Sequence, residues 1–209
     1  MYRLIVTILF LVVSIPAFAA ESMDISEGIE YELLDNPQAV TVKDKVEVIE
    51  FFSYACPHCY KLEPHLEAWR KNKAADIEFI HIPAVFNKSW ESLASVYYTA
   101  ESLGVADKVH PLIFAAIHGT GKKINNFAEL KDVFVQNGVK AEDFDNTLNS
   151  FAVANKTRKA IQLTKQYQVQ SVPVLIVQGK YRTNSTLGHG HANVFKVVDH
   201  LAEKVRKEK

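Results

Sequence analysis

Only two of the 209 residues are cysteine, 8 are glycine and 7 are proline. So few cysteines exclude a scaffold held by several disulfides, and so little glycine and proline, without any repeat, excludes collagen-like and low-complexity chains. Charge of one sign is also missing. The 24 basic side chains are matched by 24 acidic ones, which argues against a nucleic-acid partner. Beyond the first twenty residues no apolar run approaches the roughly twenty residues needed to cross a bilayer. What is present, 48% apolar, 11% aromatic and 23% charged residues, is globular composition and excludes disorder or coiled coil. The length suits one domain, at most one carrying an insertion, able to bury most of its surface without covalent staples.

The N-terminus reads as a cleaved export signal. Arg3 supplies a short positive start, Leu4 to Val13 is almost wholly apolar, and Ala17 and Ala19 place small residues before a cut after Ala19. The apolar run, about ten residues, is half of what a membrane anchor requires. The mature chain is therefore expected outside the cytoplasm, soluble and slightly acidic.

The remainder alternates strand and helix signals around a helical middle. Val46 to Phe52 is β-branched and aromatic, as a buried strand is, and runs straight into Ser53-Tyr54-Ala55-Cys56-Pro57-His58-Cys59. A helix is expected from about Cys56, with Pro57 in its first position, Leu62, Leu66 and Trp69 on one face, and a kink at Pro64. Asp76 to Pro83 reads as a second strand. Between Ser89 and Ser150 the period becomes helical: Leu93, Val96, Tyr97, Ala100 and Leu103 form one stripe, Val109, Leu112, Ile113 and Ala116 another. Phe127, Leu130 and Phe134, then Phe144, Leu148 and Phe151, mark two shorter helices, and Ala160 to Tyr167 a further one. Val172 to Val177 returns to strand character, Gly179 offers a hairpin turn, and Val194 to Val205 forms an amphipathic C-terminal helix.

Chemistry concentrates in the cysteine pair, both members of which fall in one C-x-x-C. As a structural staple it closes a very short loop, for which chain entropy gives roughly 2 kcal/mol against about 3 for fifteen residues. As a zinc site it lacks a second cysteine pair, and His189 and His191 are one residue apart rather than three to five. Haem attachment would need histidine where Tyr60 stands. A redox centre in an exported protein fits both spacing and compartment, with no metal and no cofactor beyond the Cys56–Cys59 disulfide.

The strand-to-helix position supplies the physics of that reading. A sulfur at a helix start faces unpaired N–H groups and the positive end of the macrodipole, and both favour thiolate. Pro57 stiffens the turn without wasting a donor, and His58 adds positive charge or a hydrogen bond beside Cys56. Cys56 is expected to be the exposed nucleophile and Cys59, one turn inside, the resolving thiol. If Cys56 ionised about three units below ambient pH, the reduced protein would gain roughly 4 kcal/mol, on the order of 90 mV towards a stronger oxidant. Glu50, inside the apolar strand, reads either as a buried acid able to exchange protons with Cys59 or as a strand-end acid reaching solvent. Pro173 opens an otherwise good strand. A cis Val172–Pro173 peptide would free backbone groups to pair with an extended client, although only about 5% of X-Pro bonds are cis.

The run Glu50-Phe51-Phe52-Ser53-Tyr54-Ala55-Cys56-Pro57-His58-Cys59-Tyr60, with Ser171-Val172-Pro173 and Gly179-Lys180-Tyr181 far downstream, resembles the DsbA family of bacterial periplasmic thiol oxidases. Pro57-His58 is the dipeptide typical of that family, whereas thioredoxins usually carry Gly-Pro. The resemblance implies an α/β, thioredoxin-like fold with an inserted helical domain: leader 1–19, first thioredoxin-like part 20–86, helical insertion 87–152 and second part 153–209. It further implies Cys56 as nucleophile, Cys59 as resolving thiol, Val172-Pro173 as a cis-proline client-binding loop, and Glu50 as a buried acid near the disulfide. Glu63 matches another acid of the family, although a solvated helix face explains it equally well. Expected partners are unfolded or partly folded exported proteins with free cysteines, and a quinone-linked membrane oxidase of the DsbB type. Periplasmic location and a monomer are also expected. The alternatives are a reductase or isomerase on the same fold, for which no dimerisation region is visible, and a non-catalytic peptide-binding module.

Overall fold

The computed structural model describes residues 24–119 and 127–208; the expected leader lies outside them. A two-residue strand, β1 (Glu32–Leu33), precedes β2 (Val46–Phe52), every residue of which is buried. The helix α1 (Pro57–Asn72) then carries the chain across to β3 (Ile77–Pro83), which pairs with β2 in parallel from Val46↔Ile77 to Phe52↔Pro83. Pro64 deletes one helical donor, yet α1 continues through it. Five helices follow: α2 (Lys88–Ser102), α3 (Ala106–His118), α4 (Phe127–Gln136), α5 (Ala141–Leu148) and α6 (Phe151–Gln166). The hairpin β4 (Val174–Val177) and β5 (Tyr181–Thr183), then α7 (Val194–Glu208), complete the chain.

The sheet has the order β1-β5-β4-β2-β3, with β2–β3 its parallel pair. The strand β2 lies inside the sheet, between β4 and β3, and both of its faces are covered, so all seven positions are buried, Glu47 and Glu50 included. Period two then sorts the side chains. Val46 and Val48 join Leu62, Leu66 and Trp69 of α1 and the Val194, Val198, Leu201 and Val205 stripe of α7 in one core. Ile49 and Phe51 join the helical block, Tyr97, Phe114, Phe134 and Phe144 among them, in the other. The β4–β5 turn holds Gln178 and Gly179 at φ 54° and 61°, the left-handed pair a tight hairpin needs. Gly179 is required twice over, since a Cβ there would sit 2.2 Å from the Gln38 carbonyl oxygen.

One apolar assignment is corrected. Phe151 does not extend the stripe of Phe144 and Leu148; it opens α6 after Ser150, whose hydroxyl caps Val153 N–H, and is 77% exposed. A capping serine ends one helical register and starts another, so a spacing carried across it no longer marks one face.

Candidate active site

The site is built by the tight turn between β2 and α1. Cys56 N–H donates to the Ser53 carbonyl at 3.0 Å and Ala55 N–H to the Ser53 hydroxyl at 3.1 Å, closing the turn. Cys56 is the N-cap residue, extended at φ −94° and ψ 114°, and Pro57 takes the first helical position. No acidic residue stands in the first turn of α1, so a thiolate there meets the free N–H groups without a competing anion. Below the turn Tyr54 is fully buried between Phe52 and Phe114, and its carbonyl meets His118 Nε2 of α3 at 2.7 Å. His118 also stacks on Tyr60 at 5.5 Å. The helical block therefore braces the reactive turn from its far side.

The two sulfurs, one turn apart, ionise in opposite directions. Cys56 is lowered from 9.0 to about 6. The largest cause is a hydrogen bond to its sulfur from the Cys59 thiol, opposed by burial and assisted by the Cys59 and His58 backbone N–H groups and by the His58 charge. Burial, first, then the bond it gives to Cys56 and the charge of Glu50 push the Cys59 thiol well up. Two expectations change here. The neighbouring thiol, rather than the helix end alone, is the main support of the thiolate. A value near 6 also gives about 1.4 kcal/mol at pH 7, on the order of 30 mV, not the larger figure that a deeper shift would give.

Cys56 is also less exposed than expected, at 7% against 1% for Cys59. The order is as anticipated but the tip is covered, because the Cys56 thiol donates to the Val172 carbonyl at 3.3 Å. The Val172–Pro173 peptide is cis. Beside it a cavity of about 410 Å³ is lined by His58, Val172, Pro173, Ser185, Gly190 and His191, so three of the expected site residues, His58, Val172 and Pro173, line one cavity next to Cys56.

Glu50 is 1% exposed, which disposes of a solvent-reaching acid, and burial holds its carboxyl well above the usual range. Its Oε2 lies 3.2 Å from Nε2 of His81, its register partner on β3. Glu63 is buried too, 3.5 Å from His110 Nε2, rather than part of a solvated helix face. His110 Nδ1 shares a 2.7 Å hydrogen bond with the Tyr54 hydroxyl. Spacing in the sequence does not mark His81, His110, His118 or Tyr54 as site residues. The available signal was histidine inside otherwise apolar segments, 79–82 and 109–114, which is costly unless each ring is met by a partner.

Known proteins agree with this geometry. Residues 47–202 match the family described as DSBA-like thioredoxin domain. The Thiol:disulfide interchange protein DsbA of Pseudomonas aeruginosa is 38% identical over 206 residues, 99% of this chain and 98% of that one. The protein of the same name from Burkholderia cepacia is 35% identical over 185 residues, 88% and 87% of the two chains. The crystal structure of Pseudomonas aeruginosa DsbA superposes with a TM-score of 0.81 at 38% identity, over 88% of this chain and 96% of that one. Reduced DsbA1 from Neisseria meningitidis gives 0.76 at 29% identity, over 90% and 98%. With fold, motif and full-length likeness in agreement, the chain belongs to the DsbA family of thiol:disulfide oxidoreductases, and its function is thiol:disulfide interchange run as an oxidase.

Proposed function

We propose that Cys56 and Cys59 carry the exchange on exported proteins in the periplasm, and that the opposite ionisation of the two sulfurs gives it direction. A client thiolate attacks the Cys56 sulfur of the Cys56–Cys59 disulfide. The bond to Cys59 breaks, and Cys59, whose buried thiolate is disfavoured, takes up a proton. A second client thiolate then attacks the client sulfur of the mixed disulfide, and Cys56 departs as an anion. Two electrons have moved from client to enzyme, the client leaves with a disulfide, and the enzyme is left as the dithiol that the structure describes.

The observation that carries this reading is the lowered Cys56 beside the raised Cys59, since a good leaving group and a poor one on adjacent turns favour release of an oxidised client. Val172 and Pro173 face the nucleophile, and the carbonyl now bonded to Cys56 becomes a backbone acceptor for an extended client once the disulfide forms. The charge of Glu50 opposes ionisation of Cys59, which makes it a tuning residue. Reoxidation by a quinone-linked membrane oxidase of the DsbB type and action as a monomer complete the proposal. So does the division at 87–152 between a helical insertion and two thioredoxin-like parts. Among the described residues no helix is long and apolar enough to cross a membrane.

Trapping tests the roles directly. With Cys59→Ala, client mixed disulfides on Cys56 are expected to accumulate in periplasmic extracts, and Cys56→Ser is expected to abolish oxidation of a reduced dithiol peptide. Recovery of no adduct from Cys59→Ala, or a redox potential near that of thioredoxin, about −270 mV, refutes the assignment.

A further inference from the structure

The thiol exchange uses neither histidine of the polar cluster that lies deep between α1, β2, β3 and α3. We propose that Glu63, His81 and His110, with Glu50 as a fourth donor, form a binding site for a divalent transition metal, zinc being the ion whose ligand preferences they match.

Spacing is the first argument. One donor atom from each of Glu63, His81 and His110 lies within 4.8 Å of the others. A tetrahedral ion with bonds of about 2.1 Å holds its ligand atoms about 3.4 Å apart. His81 Nε2 and Glu50 Oε2 are 3.2 Å apart, and His110 Nε2 and Glu63 Oε2 3.5 Å, so each imidazole nitrogen already stands at ligand-to-ligand distance from one carboxylate oxygen; Glu50 lies outside the trio and would have to close in on the ion to bind it. Each pair joins a nitrogen to a carboxylate oxygen, and the two imidazoles are themselves close, ring centres 4.7 Å apart.

Unmet bonding is the second. The side chains of Glu50, Glu63, His81 and His110 are 2%, 7%, 8% and 4% exposed. Yet Glu63 Oε1 has no hydrogen-bond partner among the described residues, and Glu50 Oε2, His81 Nε2 and His110 Nε2 have none either, their only polar neighbours there being the paired atoms just given, which miss hydrogen-bond geometry. Buried polar atoms without partners are rare, and four on one cluster point to a missing common partner. A dication bound by two carboxylates is neutral overall, which is what a low-dielectric site requires. The choice of ion follows from the donors. Two imidazole nitrogens with carboxylate oxygens suit zinc and its neighbours, whereas calcium and magnesium call for oxygen alone.

The surroundings are those of a metal site. The Tyr54 hydroxyl, 2.7 Å from His110 Nδ1, fixes that ring with Nε2 turned to the cluster, as outer partners of ligating histidines do. A cavity of about 350 Å³ reaches Glu63, His81 and His110 and gives access from solvent. Arg70, which lines this cavity, is already paired with Glu67 at 2.6 Å and Asp107 at 3.0 Å. Because the ligands come from β2, α1, β3 and α3, the bound ion would pin the helical block to the sheet.

The test uses the oxidised protein, in which Cys56 and Cys59 are joined and offer no thiolate to a metal. After chelator treatment, calorimetric titration with zinc chloride is expected to show one equivalent bound. The melting temperature is expected to rise by about 5 to 10 °C at free zinc one hundred times Kd. Cobalt(II) in its place is expected to give the visible bands of a four-coordinate nitrogen and oxygen site without thiolate charge transfer. His81→Gln with His110→Gln is expected to weaken binding more than tenfold. His65→Ala, which removes one ring of the stacked pair His65 and His191, is expected to bind as the parent does. No stoichiometric zinc on the oxidised parent overturns the proposal and leaves the cluster held by shared protons. Loss of binding in His65→Ala also overturns it, by moving the ion to that second pair. If the double variant does not fold, the cobalt spectra of the parent and of His65→Ala decide: four-coordinate bands in both support the site, and their absence from either refutes it.

Discussion

Cys56 and Cys59 have the same side chain, stand one helical turn apart, and ionise in opposite senses. Cys56 caps the helix, with N–H groups and a thiol directed at its sulfur. Cys59 is enclosed, donates its proton to its neighbour, and faces the field of Glu50. The asymmetry is therefore a property of a pair. A thiol that gives its hydrogen bond away cannot readily ionise, and one that receives it ionises easily. Four further changes act on this contrast in decreasing order of effect.

The largest is expected from Cys59→Ala, which removes the principal support of the Cys56 thiolate. Cys56 is expected to climb from about 6 most of the way to its ordinary 9.0, a cost to the anion of up to about 4 kcal/mol. Thiolate absorbance followed against pH measures it directly. A midpoint still near 6 would transfer the credit to the helix end and restore the simpler account based on the macrodipole.

The pH dependence of the reduction potential comes next. Because the folded Cys56 value lies below the ordinary one, its stabilisation of the reduced form is complete above about pH 9. It declines below that and is lost as pH falls through about 6. Below pH 6 reduction takes up two protons for two electrons, and above it one. The potential is thus expected to fall by about 60 mV per pH unit on the acid side and about 30 mV on the other. Glutathione-buffered titrations between pH 5 and 8 locate the break, and a single slope throughout would mean that neither thiol ionises in the range.

His118→Ala is expected to act more weakly and through the scaffold. It removes the ring that meets the Tyr54 carbonyl at 2.7 Å, two residues before Cys56, and that stacks on Tyr60. One hydrogen bond is worth about 1 kcal/mol, so the melting temperature of a domain this size is expected to drop by about 2 to 4 °C. If the Cys56 titration stays fixed while stability falls, the brace is purely structural.

Legibility in the sequence follows the range of the interaction. The buried strand before Cys56, the helix starting with Pro57, the turn at Gly179 and the amphipathic α7 are set by neighbours within a few residues, and each is where spacing and turn chemistry place it. The family motif likewise pointed to Cys56 and Cys59. What spacing could not show is which distant residues meet. His81 reaches Glu50 only through the parallel register of β2 and β3, and His110 reaches Glu63 only because α3 lies against α1. The cover over Cys56 is of the same kind, since Val172 stands 116 residues away. Phe151 failed for a local reason, the capping Ser150 before it.

The smallest effect is expected from His58→Ala. His58 is exposed, and its charge is the last of the influences that lower Cys56, behind the backbone N–H groups of Cys59 and of His58 itself, which the substitution leaves in place. A charge in the first turn of a helix contributes about 0.3–1 kcal/mol where water screens it. Cys56 ionisation is thus expected to weaken by roughly two- to fivefold, with a small loss of oxidising power. Salt separates the two ways in which this histidine can act. If its charge is responsible, the difference between parent and variant shrinks as ionic strength rises, because the Debye length falls from about 10 Å at 0.1 M to about 3 Å at 1 M. If a hydrogen bond is responsible, the difference survives high salt, and if the two thiolate titrations coincide at every salt concentration, His58 has no part in the chemistry.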